Sequence, residues 1–73
     1  MRPYKNANGN SGVVEFSIGD KYIEVRFASS AKIYRYSYKS AGIDKVERMK
    51  YLAIQGSGLN AFINKYARND YEK

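Results

Sequence analysis

The residue types that do most protein chemistry are missing or scattered in this chain. It has no histidine and no cysteine, which rules out the common nucleophile–base arrangements and the usual zinc ligand sets. The seven Asp and Glu are spread along the sequence. Glu15 and Glu24 are the acids a strand face would bring nearest, and their basic neighbours explain them. No group of acids has the convergent spacing a divalent cation requires. Gly56-Ser57-Gly58 lacks the Gly-Lys-Ser/Thr ending of a phosphate-binding loop and reads as a turn between helices. No catalytic residue and no cofactor is expected. What remains is surface chemistry: thirteen Lys and Arg, eight tyrosines and a net charge of +6.

That sign favours acidic partners, namely nucleic acid, anionic lipid or the acidic surface of another protein. A net charge of roughly 2–8 also serves solubility alone. Two groups of residues could use it. At the N-terminus, Arg2, Tyr4 and Lys5 surround Pro3; arginine and tyrosine are enriched at interface hot spots, and proline lowers the entropy lost on docking. Further on, Lys21, Arg26, Lys32, Arg35 and Lys39 come from a predicted sheet and its loops. Lys45, Arg48 and Lys50 come from a predicted helix. Phosphate contacts from such positions give mainly sequence-independent affinity. Within this segment, Lys-Ile-Tyr-Arg-Tyr-Ser-Tyr-Lys (32–39) sets a tyrosine at every second position. It is either a base-stacking platform or one side of a core.

The elements that position these residues decide between the two. In VVEFSI (13–18), Val14, Phe16 and Ile18 alternate with polar or smaller residues, and in YIEVRF (22–27) Ile23, Val25 and Phe27 do the same. Such alternation predicts half-buried antiparallel strands, with Gly19-Asp20 as the turn signal. A two-residue loop would set Glu15 opposite Glu24, a destabilising like-charge pair. A four-residue loop (19–22) sets Glu15 opposite Arg26 and Phe16 beside Val25. Another four-residue loop (28–31) sets Glu24 opposite Arg35, Val25 opposite Tyr34 and Ile23 opposite Tyr36. The three tyrosines 34, 36 and 38 then share the apolar face. Glu15, Ser17, Glu24, Arg26, Arg35, Ser37 and Lys39 form a mixed, solvated one. The stripe is read as core.

Two helices are predicted to cover that core. Ile43, Val46, Met49, Leu52 and Ala53 recur at helical spacing in IDKVERMKYLAI (43–54), with acids early and bases late, as a helix dipole prefers. Ser40 or Gly42 would supply the cap. A second helix begins near Ser57 or Gly58, with Leu59, Phe62, Ile63 and Tyr66 inward. Residues 1–12 are read as a flexible arm, because Asn6 to Gly12 have the composition of a mobile segment. Residues 68–73 are read as a frayed tail. The expectation is an α+β domain over residues 13–67: a three-stranded antiparallel meander, then two helices packed on one face (β-β-β-α-α). At 73 residues this is one domain, near the lower limit of self-sufficient size. No stretch approaches the roughly 20 apolar residues of a membrane span, and no signal-peptide core opens the chain. A monomeric, cytoplasmic protein without membrane contact is expected.

Ile23-x-Val25-x-Phe27, Tyr34-x-Tyr36 and Gly56-x-x-Leu59-Asn60-x-x-Ile63, with Tyr66 as a closing aromatic, resemble the KTSC domain. This short module is named from the C-terminus of some lysyl-tRNA synthetases. The resemblance covers about residues 20–67. The family's Val-Pro after the tyrosine pair is missing, the hairpin loop is one residue longer, and Ile54 stands in place of its usual serine. The resemblance implies a fold, and RNA binding as the family's presumed activity. In size, layout and charge the chain also resembles the small phage-encoded proteins that bind host RNA polymerase. That second resemblance implies docking near the nucleic-acid exit path, without catalysis.

Two functions are therefore expected in competition. The first is a non-enzymatic transcription regulator that docks on a bacterial RNA polymerase subunit through Arg2, Tyr4, Lys5, Arg26, Arg35 and Lys39. The second is a stand-alone RNA-binding module contacting RNA or DNA through Lys21, Lys32, Lys45, Arg48 and Lys50. Glu15 and Glu24 among the basic residues favour the first, since a mixed face suits a protein surface better than a phosphate track.

Overall fold

The computed structural model describes residues 1–5 and 12–73. Its centre is an antiparallel sheet in the order β1-β2-β3-β4, formed by β1 (Arg2–Pro3), β2 (Val13–Ile18), β3 (Tyr22–Phe27) and β4 (Ile33–Ser37). The last three are the expected meander. The first corrects the reading of the N-terminus as a free arm. Arg2 lies opposite Phe16 and Pro3 opposite Glu15, and the Tyr4 N–H donates to the Val14 carbonyl at 3.0 Å. Tyr4 supplies the reason. Its side chain is buried, its ring meets Phe16 edge-on at 6.5 Å, and its hydroxyl accepts from the Leu59 N–H at 3.2 Å. Burying a large apolar side chain stabilises by roughly 1.5–3 kcal/mol, which anchors a strand of only two residues. Pro3, with no N–H to donate, is tolerated because β1 is an edge strand. The remainder of the expected arm, residues 6–11, lies outside the described residues.

Charge fixes the registers as anticipated. Glu15 lies opposite Arg26 and Phe16 opposite Val25, while Glu24 lies opposite Arg35 and Ile23 opposite Tyr36. The loop 19–22 closes with a Gly19 N–H to Tyr22 carbonyl bond of 3.0 Å. A Cβ at Gly19 would lie 2.2 Å from the Tyr22 ring. One detail differs: the pairing shifts between Val13 and Glu15, so Val13 lies opposite Phe27. This bulge adds one residue to β2. It buries Val13, and Val14, expected inward, is left partly exposed.

All three members of the tyrosine stripe meet the core, with Tyr38 packing half-buried against it as Tyr34 does. Tyr36 is 1% exposed, and Tyr34 packs half-buried against the same cluster. Tyr38 leaves the sheet. Ser37 caps a short helix, α1 (Tyr38–Ala41): its hydroxyl accepts from the Ser40 N–H, and the Ser40 hydroxyl accepts from the Ser37 N–H. This reciprocal box satisfies two orphan donors. It also buries Ser37, which alternation had placed on the solvated face.

Helix α2 (Ile43–Gln55) buries Val46, Met49 and Ala53. Ile43, expected in that stripe, sits exposed at the first position. Gly56 ends the helix at φ 78°, in the left-handed region, where a side chain is strained. Helix α3 (Leu59–Phe62) then runs into one π turn, Ile63–Ala67. The expected inward set assumed 3.6 residues per turn. In the wider π turn residues four apart stay aligned, so Leu59, Ile63 and Ala67 are buried and Tyr66 stands exposed.

The tail also departs from expectation. Glu72 N–H donates to the Arg35 carbonyl at 2.7 Å, and Tyr71 meets Tyr34 and Tyr36 edge-on at 4.8 and 6.2 Å. Instead of fraying, residues 70–72 close the free edge of β4. The finished core joins Phe16, Ile23, Val25 and Tyr36 of the sheet to the inward residues of the helices, with Tyr4 at its margin.

Candidate functional site

The outer face of the sheet carries the charges that the strand registers bring together. Arg26 Nε donates to Glu15 Oε1 at 2.6 Å. Arg35 donates through Nε and Nη2 to Glu24 Oε2 at 3.1 and 2.8 Å, and its guanidinium lies over the Tyr22 ring, 4.4 Å from the centroid. The bond to Glu24 holds the Arg35 pKa above its ordinary value. Arg26 and Arg35 thus share one face, as expected, but each is committed to a carboxylate.

Two of the expected phosphate contacts serve the fold instead. Lys45 Nζ donates to Asp70 at 2.6 Å, fastening the tail to α2. Lys50 Nζ lies 2.9 Å from the Glu47 carboxylate, donates to the Asp20 carbonyl at 2.9 Å and sits over the Tyr38 ring. Glu47 also accepts from the Tyr38 hydroxyl. Hydrogen bonds from Tyr38 and Lys50 hold the Glu47 pKa down, and the bond to Glu47 raises that of Tyr38. Desolvation pulls Lys50 down, but the Glu47 interaction outweighs it and the net direction is upward. This network ties the β2–β3 loop to α1 and α2.

The uncompensated cations lie elsewhere. Arg2 stands on the edge strand β1 opposite Phe16, while Lys21, in the loop after β2, and Lys39, on α1, lie together across the sheet. The Tyr38 N–H to Lys21 carbonyl bond of 2.9 Å joins the last two segments there. The Arg2 guanidinium lies 5.1 Å from the Phe16 ring centroid, and Met1 beside it is exposed. Lys5 lies apart, against Gly56. Lys32 is apart as well, over the rings of Tyr34 and Tyr71. Arg48 stands exposed on α2 beside Phe62 and Tyr66. Tyr4, expected as a docking anchor, is a core residue.

Sequence reasoning missed two features on the helical side. Phe62 and Tyr66, 5.1 Å apart, line a small apolar groove with Arg48. Asn60, Asn64 and Arg68 line a larger cleft of about 570 Å³ against Tyr34 and Tyr71. The pairs lie four residues apart, as neighbours on any helix do; the π turn is what sets Tyr66 outward. The available signal was the period-four run Asn60, Asn64, Arg68. Deeper in, burial first, then Tyr34, Tyr71 and Asp70, pushes the Tyr36 phenol up to about 12.

Among the described residues, no group of His, Cys, Asp or Glu could hold a metal ion, and no helix is long and apolar enough to cross a membrane. Protein-family models, curated proteins and solved structures provide no match to the chain.

Proposed function

We propose that this protein is a non-enzymatic transcription regulator of phage type, which docks on a subunit of bacterial RNA polymerase in the host cytoplasm and acts as an inhibitor or antiterminator. The supporting observation is how charge is distributed. The broad sheet face is neutralised by its own Arg–Glu pairs, which makes a poor phosphate track and a good template for a polar protein surface. Among the described residues Arg2, Lys21 and Lys39 are in no ion pair: Arg2 stands next to exposed Met1 on one edge strand, combining an apolar contact with charge that steers toward an acidic patch, and Lys21 and Lys39 add charge near the other edge. Arg26 and Arg35 contribute a preorganised, paired surface, and Lys5 extends the contact along the N-terminal segment. The effect is steric and allosteric: a small rigid body occupies a site on a large enzyme and restricts its freedom to open or to release nucleic acid.

The test is co-purification from nuclease-treated lysate, comparing the natural chain with the double variant Arg2→Glu, Lys39→Glu. Both positions are exposed, and circular dichroism checks that the variant is folded before it is used as bait. Retention of polymerase subunits by the natural chain, lost in the variant, supports the reading. Retention of RNA alone before nuclease, and of nothing after it, replaces it with the RNA-binding module. Lysate from Xanthomonas belongs in the panel, since the resemblance extends to an inhibitor and antiterminator from a phage of that genus.

A further inference from the structure

The cleft of about 570 Å³ lies on the helical side, between the β3–β4 loop, the π turn and the docked tail. We infer that it is a seat for one nucleotide of a single-stranded nucleic acid, with the base held against Tyr34 and Tyr71 and the phosphate at Arg68 and Lys32.

Three observations converge. The first is the polar lining. Asn60, Asn64 and Arg68 follow one another at spacing four, and the π turn at Ile63–Ala67 keeps that spacing aligned along a single stripe. The buried stripe Leu59, Ile63 and Ala67 runs beside it. Single π turns of this kind recur at functional sites. None of the three polar side chains is hydrogen-bonded to another described residue, whereas the cations of the sheet face and the Lys45 and Lys50 networks are all engaged. A carboxamide offers both a donor and an acceptor, the pairing that a base edge presents.

The second is aromatic. Tyr34 and Tyr71 line the cleft, and their edge-on contact at 4.8 Å holds the rings in fixed orientation. Stacking on such rings contributes about 1–3 kcal/mol per base and tolerates any sequence. The third is charge. Lys32 Nζ lies within 5.2 Å and 5.6 Å of the two ring centroids, and Arg68 stands exposed on the opposite wall. Among the described residues neither is in an ion pair, so each keeps its charge for a phosphate, Lys32 from its place over the two rings. An aromatic wall, amide edges and flanking cations together match a nucleotide. A duplex does not fit, because its bases are stacked inside and its ring faces are covered.

The test needs no polymerase, so its outcome is separate from that of the docking reading. Fluorescence anisotropy is measured with labelled 12-mers of single-stranded RNA, single-stranded DNA and duplex DNA. Single strands are expected to bind in preference to duplex. Asn64→Ala should weaken binding about fivefold with an unchanged salt slope, the loss of one base contact. Arg68→Ala should weaken it and reduce the salt slope by about one. Lys39→Ala, remote from the cleft, should leave affinity within about twofold. All these positions are exposed, so folding is preserved. The inference is overturned if no single strand binds at about 0.2 mM, if duplex binds best, or if Lys39→Ala weakens binding as much as Arg68→Ala while Asn64→Ala does nothing. The last result would mean diffuse attraction by net charge.

Discussion

Replacing Tyr4 tests whether the N-terminal strand belongs to the folded body. The side chain is 6% exposed, packs edge-on against Phe16 and accepts the Leu59 N–H, a first-turn donor that the helix itself leaves unpaired. Tyr4→Ala removes the ring and the acceptor, so the expected loss is that of a large aromatic truncation, about 3–5 kcal/mol. A chain of this length has a total stability of roughly 4–11 kcal/mol, so the variant approaches the limit of folding. Tyr4→Phe keeps the ring and orphans the Leu59 N–H, at about 1 kcal/mol. In small domains each kcal/mol moves Tm by about 4–8 °C. Thermal unfolding followed by circular dichroism should thus show Tyr4→Phe lower by about 4–8 °C and Tyr4→Ala lower by at least about 12 °C. If Tyr4→Ala melts within about 3 °C of the natural chain, the segment is not docked in solution and the reasoning fails. For the same reason, deleting the first residues is a poor test of binding, because it removes part of the core.

Other consequences are open to direct measurement. The Tyr36 phenol is raised from about 10 in the unfolded chain to about 12 in the fold. Its contribution is therefore fully present below pH 10 and is lost as pH rises through 12, by about 3 kcal/mol at most. Urea titrations from pH 9 to 12 should show a steeper decline in the natural chain than in Tyr36→Phe, and parallel declines would refute the assignment. Glu24→Gln breaks a surface pair with Arg35, and the cost in the same assay should stay below about 1 kcal/mol. A larger loss would mean that the outer face is more deeply desolvated than its exposure indicates. Gly56→Ala places a Cβ 2.5 Å from that of Lys5 at a φ of 78°. About 2 kcal/mol should be lost from backbone strain and displacement of the N-terminal segment, and a neutral result would contradict that close approach. Tyr71→Ala uncovers Tyr34 and Tyr36, and should raise amide exchange at Glu72 and across β4; unchanged exchange would show that the tail does not hold that edge.

The strand pairings were legible because opposite charges and apolar alternation agree at the central rows: Glu15 with Arg26, Glu24 with Arg35, Phe16 with Val25. Two of the parts that were not legible have partners distant in the chain. Tyr4 reads as an exposed hot-spot residue until Leu59, 55 residues away, is seen to complete its hydrogen bond. Tyr71 sits in a polar tail and looks frayed until Tyr34 and Tyr36 are placed beneath it. Ser37 continues a strand by periodicity alone, and only its reciprocal bond with Ser40 marks it as a cap. The π turn has no local marker, yet it moves Tyr66 outward, brings Ala67 inward and aligns Asn60, Asn64 and Arg68. The expected contact residues divide as well. Among the described residues Arg2, Lys21 and Lys39 are in no ion pair, whereas Lys45 and Lys50 are engaged by Asp70 and by Glu47 with Asp20.

The docking proposal stands or falls on binding to purified polymerase. Nucleic-acid-free bacterial core enzyme would be immobilised and the intact chain titrated over it by interferometry. Saturable binding at about micromolar concentration or tighter, weakened at least about tenfold by Arg2→Glu with Lys39→Glu, is the result the account predicts. Absence of binding, or binding that appears only when RNA is added, would contradict it.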